Sequence, residues 1–177
     1  VARVDDHLTD IKAKATYGRI TKNLEIDVGI TPVYVSRYGR FIPILGGIDV
    51  PVTISVSTLF NTKKVHKNFL ENLESAKFQI KAVQSGVVRL PSPIENTYHL
   101  ETAEINGAVS QGMKTIKIAE PEITLNHGIQ ADLEVAVKGM DKFIAHKNVN
   151  DLHTTLNAWV KNVPMSEVTK VWPAEQG

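Results

Sequence analysis

The chain has 177 residues, 42% of them apolar and 22% charged, with a formal net charge of +1 and no cysteine. That length and balance suit one globular domain with its own core and exclude wholesale disorder. The missing cysteines exclude disulfides, thiol nucleophiles and thiolate metal sites, and the near-neutral charge is unlike that of a dedicated nucleic-acid binder. No apolar run is long enough for a membrane-spanning helix. Residues 1–10 carry Asp5, Asp6 and Asp10 and no apolar core of the kind a secretory signal needs.

The first pattern along the chain has period two. Ile11, Ala13, Ala15 and Tyr17 alternate with polar residues, and so do Leu24, Ile26, Val28 and Ile30. Two half-buried strands joined by a turn over residues 18–23 are expected, a hairpin that fills region 1–30. Residues 31–47 are apolar but broken by Pro32, Gly39, Pro43, Gly46 and Gly47. They predict a short strand and then an ordered apolar loop, because proline removes ladder donors. The rest, 48–177, forms the main body of the same single domain.

Val50, Val52, Ile54 and Val56 alternate with Thr53 and Ser55 and predict a strand. After it, Val65, Phe69, Leu73 and Ala76 recur at helical spacing, with Asn61 or Thr62 as a cap. Phe78, Ile80 and Ala82 return to period two, and residues 85–96 read as loop. Strands are expected from Tyr98 to Ile105, from Met113 to Ala119 and from Ile123 to Leu125, the last two separated by Pro121. Asn126, His127 and Gly128 make a turn, and Ala131 to Val137 is another strand. Leu152, Leu156, Trp159 and Val160 form the stripe of a second helix ended near Pro164, and Met165, Val168, Val171 and Trp172 suit one more short helix. The expected class is α+β: an antiparallel sheet packed against two or three helices.

No phosphate-binding glycine loop, nucleophile elbow or zinc-protease signature is present. The histidines His7, His66, His99, His127, His146 and His153 share no metal-ligand spacing, so no metal or cofactor is expected. Glu101 with Glu104, and Glu120 with Glu122, are paired carboxylates at strand ends, where solvated loop charge is the simpler reading. An active site assembled only by the fold would draw on His99, Glu101 or Glu104. No catalytic residue is assigned and the protein is expected to bind rather than catalyse.

The binding candidates are basic. Lys63, Lys64, His66 and Lys67 crowd the start of the first expected helix, where free N–H groups suit a phosphate. Lys12, Lys14 and Lys22 lie on the polar face of the hairpin. Arg37 and Arg40 interleave with Tyr34, Tyr38 and Phe41, which suits a stacked base or a membrane interface as well as a core with snorkelling charges. The loop residues Val33, Tyr34, Tyr38, Phe41, Ile42 and Leu45 are candidates for self-association, since exposed apolar segments mark interfaces.

Two strand–loop–helix units carry a family likeness. The stretch Val52 to Thr62 with its following helix resembles the early core of rhabdovirus matrix proteins, and Ala131 to Val137 followed by Leu152 to Val160 resembles their closing unit. The likeness is to the compact plant cytorhabdovirus kind and covers about half the chain. It implies a viral structural protein of a negative-strand RNA virus. Such a protein self-associates and bridges the nucleocapsid and its RNA to the anionic inner face of the membrane during virion assembly. It is found in the virion, in host cytoplasm and at membranes, and takes no small-molecule substrate. The membrane and RNA-phosphate contacts then fall to Lys12, Lys14, Lys63, Lys64, Lys67, Arg37 and Arg40. A basic N-terminal arm and a P-P-x-Y budding motif, common in animal members, are absent. The alternative is a small non-enzymatic domain that holds an apolar ligand between sheet and helices.

Overall fold

Alternation of apolar and polar residues dominates this chain, and it produces strands almost throughout. A computed structural model describes residues 2–4, 7–40, 46–63, 69–89 and 97–166. The strands are β1 (Ala2–Val4), β2 (His7–Gly18), β3 (Asn23–Tyr34), β4 (Ile48–Asp49), β5 (Pro51–Asn61), β6 (Leu73–Ala82), β7 (Gly86–Arg89), β8 (Thr97–Val109), β9 (Thr115–Leu125), β10 (Ile129–Lys138) and β11 (His153–Lys161). One short α-helix, α1 (Met140–His146), lies between β10 and β11. All pairings are antiparallel, in the order β1-β2-β3-β5-β6-β8-β9-β10-β11, with β7 on the outer half of β8 and β4 on β7.

The expected α+β class is corrected here. Strands account for 67% of the described residues, and among these no sheet covered by two or three helices forms. Residues 64–68 of the first expected helix lie outside the described residues, and from Phe69 on it is a 3₁₀ turn over Phe69–Asn72 and then β6. A bulge explains the deceptive spacing. Phe60 pairs with Leu73 while Leu59 pairs with Ser75, so Leu73 and Ala76, three residues apart, reach the same face of the sheet. The second expected helix is β11, paired residue for residue with β10. Its Thr154, Thr155, Trp159 and Val160 favour a pleated strand. The Leu152–Leu156–Trp159–Val160 stripe splits between the two faces. The third expected helix, over Met165 to Trp172, falls almost wholly outside the described residues.

The hairpin of β2 and β3, the strand after Val50 and the turn at Asn126 stand where the alternation puts them. Residues 86–89, read as loop, are strand β7. Pro121 does not divide its segment into separate strands. It sits buried within β9, between the bulges of β8 and β10, where no ladder N–H is required of it.

The registers give each face of the sheet one character. On one face Ala13, Val28, Val56, Phe78, Gly107, Ile118, Val135 and Leu156 form a single row across eight strands. Ile11, Ile30, Ile54, Ile80 and Ile105 form the next. The Phe78 ring lies over Gly107, filling the space a side chain would take there. The two clusters of buried apolar side chains lie at two ends of this face. Val50, Val52 and Leu100 are buried near β4 and β7, and Phe60, Leu73 and Ala76 are buried near the 3₁₀ turns at Phe69–Asn72 and Gln111–Met113.

Gly139 turns the chain from β10 into α1 at φ +82°, and a Cβ there would overlap the Asp151 carbonyl oxygen. Gly139→Ala is therefore expected to cost about 1–3 kcal/mol from backbone strain alone, read as a lower urea midpoint with an unchanged slope.

Candidate functional site

The polar face carries the cations. Lys14, Asp27, Ser57, Lys77, Ala108 and Lys117 form one cross-strand row. At about 4.8 Å per strand, Lys14 lies roughly 14 Å from Lys77, and Lys77 roughly 10 Å from Lys117. Asp27 is engaged by the Ser57 hydroxyl, which donates to its Oδ1 at 2.6 Å. Lys12 stands one row along, opposite Gly29. The space above Gly29 is open, with no atom within 4 Å of where a Cβ would be. A shallow groove of about 570 Å³ runs over this region, and its polar lining includes Lys12, Lys14, Ser55, Lys77 and Asn106. Among the described residues, Lys12, Lys14, Lys77 and Lys117 make no ion pair, whereas Lys81 pairs with Glu104 at 3.2 Å and Lys161 pairs with Asp132.

The sequence-derived candidates are therefore split. Lys12 and Lys14 are together in the groove, joined there by Lys77, and Lys117 stands two strands beyond Lys77 in the same row. Those two were missed because single lysines on separate strands form no cluster in sequence. Register alone gathers them. Arg37 stacks its guanidinium over the Tyr34 ring at 5.1 Å in the 3₁₀ turn Val35–Arg40. Seven residues of β3 separate Tyr34 from Asp27, roughly 20 Å, so Arg37 does not join the lysine row. Arg40 and Tyr38 belong to the same turn. Lys63 lies two residues past the end of β5, with its backbone N–H donating to Asn61 Oδ1 at 2.9 Å. It caps no helix among the described residues. Lys64, His66 and Lys67 fall outside the described residues, as do Phe41, Ile42 and Leu45. Of the remaining self-association candidates, Val33 packs against the Val50 cluster opposite Val52, and Tyr34 pairs with Pro51.

The carboxylates show no acid–base arrangement. Glu104 accepts hydrogen bonds from Asn106 and Gln79 and pairs with Lys81. The Asn106 bond, then the Lys81 bond, hold its pKa below the usual carboxylate range. A group lowered in the folded state stabilises above its unfolded pKa, and that contribution is lost as pH falls through the folded one. His99 sits five residues along β8 from Glu104, roughly 17 Å. Among the described residues no three His, Asp or Glu side chains gather as for a metal, and no helix is long and apolar enough to cross a membrane. A hollow of about 610 Å³ beside α1 is lined by Asn72, Glu74, Met113, Asp141 and His146 with others, and Asn72 Oδ1 is buried there without a hydrogen-bond partner. The helical wall that would enclose an apolar ligand against the sheet is not formed by the described residues.

The other face is an apolar layer that no described element covers at its centre. Substantial contacts between elements join strands adjacent in the sheet, or strand ends and the short helical turns. No second layer of described residues packs over the central rows. No protein-family model, curated protein or solved structure matches the chain.

Proposed function

We propose that this protein is a non-enzymatic structural subunit that self-associates through its apolar sheet face and presents its lysine face to an anionic partner. The uncovered apolar layer carries the reading. A sheet with one apolar face buries it against a second layer, and here that layer is supplied by another copy, as in a sandwich of two sheets about 10 Å apart. The near-neutral net charge opposes association little. Sedimentation velocity over a dilution series tests this: an oligomer at micromolar concentration is expected, and a monomer at every concentration sinks the reading.

Lys12, Lys14, Lys77 and Lys117, on one face and without an ion pair among the described residues, favour phosphate-bearing partners. A virion matrix layer, joining nucleocapsid RNA to the inner face of a membrane, is the specific form of this proposal. Its support is the sequence likeness described above, and the two units that carried that likeness are strand–strand rather than strand–helix units. Co-sedimentation with single-stranded RNA and with anionic vesicles, repeated as salt is raised, separates the two partners. The triple variant Lys14→Glu, Lys77→Glu, Lys117→Glu is expected to bind at least about tenfold more weakly at low salt. For single strands the salt slope should flatten by about 2, three phosphate contacts at about 0.7 each. Binding that keeps both its strength and its slope in the variant removes this half of the proposal.

A further inference from the structure

The sheet has two unfinished edges, and they match. Among the described residues, β1 covers the outer edge of β2 only at His7, Leu8 and Thr9, which leaves Asp10 to Gly18 open, nine residues. β11 is also nine residues long and, among the described residues, bonds only to β10. All nine are exposed, with Leu156 at 61% and Val160 at 58%. A long, flat, partly apolar edge is a template for pairing with another chain.

We propose that copies of this chain join head to tail, β11 of one beside β2 of the next, as one continuous antiparallel sheet. This rests on the self-association reading and names a second surface for it. Strand direction permits the join. β2 and β11 are second and ninth in an alternating path, so they run opposite ways. One register uses both open edges in full, with Asp10 opposite Lys161 and Gly18 opposite His153. It sets Ile11 against Val160 on the apolar face, so the apolar layer continues unbroken into the next copy. On the polar face it sets Asp10 against Lys161 and Lys12 against Trp159, an ion pair and a cation–aromatic pair, each favourable across strands.

The neighbouring registers are worse. Sliding by two residues one way puts Lys12 opposite Lys161. Sliding the other way drives Lys161 onto the segment β1 already occupies. A slip by one residue turns the apolar face over. Pairing β2 with β2 over the full open edge sets Lys14 against Lys14, and pairing β11 with β11 offers no opposite charges. The join is heterologous, so it closes into a ring or grows as a filament.

The chain has no cysteine, so introduced thiols report cleanly. The proposed register places Ala13 opposite Ala158 at antiparallel-pair distance, within disulfide reach. Equal amounts of Ala13→Cys and Ala158→Cys, mixed and mildly oxidised, are expected to give a disulfide heterodimer. The double variant is expected to give a ladder of oligomers on a non-reducing gel. Ala13→Cys mixed with Leu156→Cys, two residues out of register, should link at least several-fold less. Four results overturn the proposal. Ala158→Cys linking to itself as well as to Ala13→Cys would mean like edges pair. A double variant that links within one chain would mean the sheet closes on itself. No link while the wild type sediments as an oligomer would leave self-association standing and remove the edge join. A monomeric wild type would remove both.

Discussion

Val56→Asp is expected to turn an oligomer into a monomer without unfolding it. Val56 lies in the central row of the apolar face between Val28 and Phe78, half-buried by its strand neighbours, with no described residue packed above them. In an isolated subunit the new carboxylate reaches water, and the cost is a strand-propensity penalty of up to about 1 kcal/mol. Between two stacked sheets the same carboxylate is buried without a partner, which costs several kcal/mol. Dissociation should rise about a hundredfold or more. Light scattering gives the mass and far-UV circular dichroism the strand content. Loss of mass with strand signal retained is the expected pair of results. Unchanged mass would show that the apolar face is not the interface. The thiol-linked Ala13–Ala158 join should survive Val56→Asp, since the edges lie strands away from it.

Much of this architecture is legible in the alternation of the sequence, and each failure has its own physical cause. Period-two runs such as Ile11 to Tyr17 or Ala131 to Val137 specify strand and face together, because side chains of a strand alternate strictly. Bulges break that alternation and imitate a helix. Leu73 and Ala76 face the same way across a bulge, three apart, the spacing of one helical turn. β11 misleads differently. Its residues are apolar on one face with Trp159 on the other, as an edge strand awaiting a neighbour can be. A reader who expects each segment to bury one stripe finds a helical stripe there. The short helix α1, with Asp141 in its first turn, offered too few residues for a period to show. The site was half legible. Lys12 and Lys14 share a strand and a face, so sequence places them together. Lys77 and Lys117 join them only through the pairing of β6, β8 and β9, and cross-strand register is the aspect of a sheet that a single sequence states least directly.

Leu100→Ala should be among the most damaging single substitutions in the subunit, because buried apolar side chains are so few. Leu100 is 6% exposed and packs with Val50 and Val52, where β4 and β7 close one end of the apolar face. Truncating a buried leucine costs about 2–5 kcal/mol. A domain holds about 5–15 kcal/mol in total, and one whose central rows wait for a partner sits low in that range while dissociated. Urea unfolding of dilute protein should therefore show the variant largely unfolded at concentrations the wild type survives. Leu156→Ala is the contrasting case. At 61% exposure in the subunit it should cost less than about 0.5 kcal/mol when dilute. In concentrated protein, where assembly covers that side chain, it should cost measurably more. A Leu156→Ala penalty that does not depend on protein concentration would mean the exposed face of β11 stays exposed, and assembly would have to use some other surface.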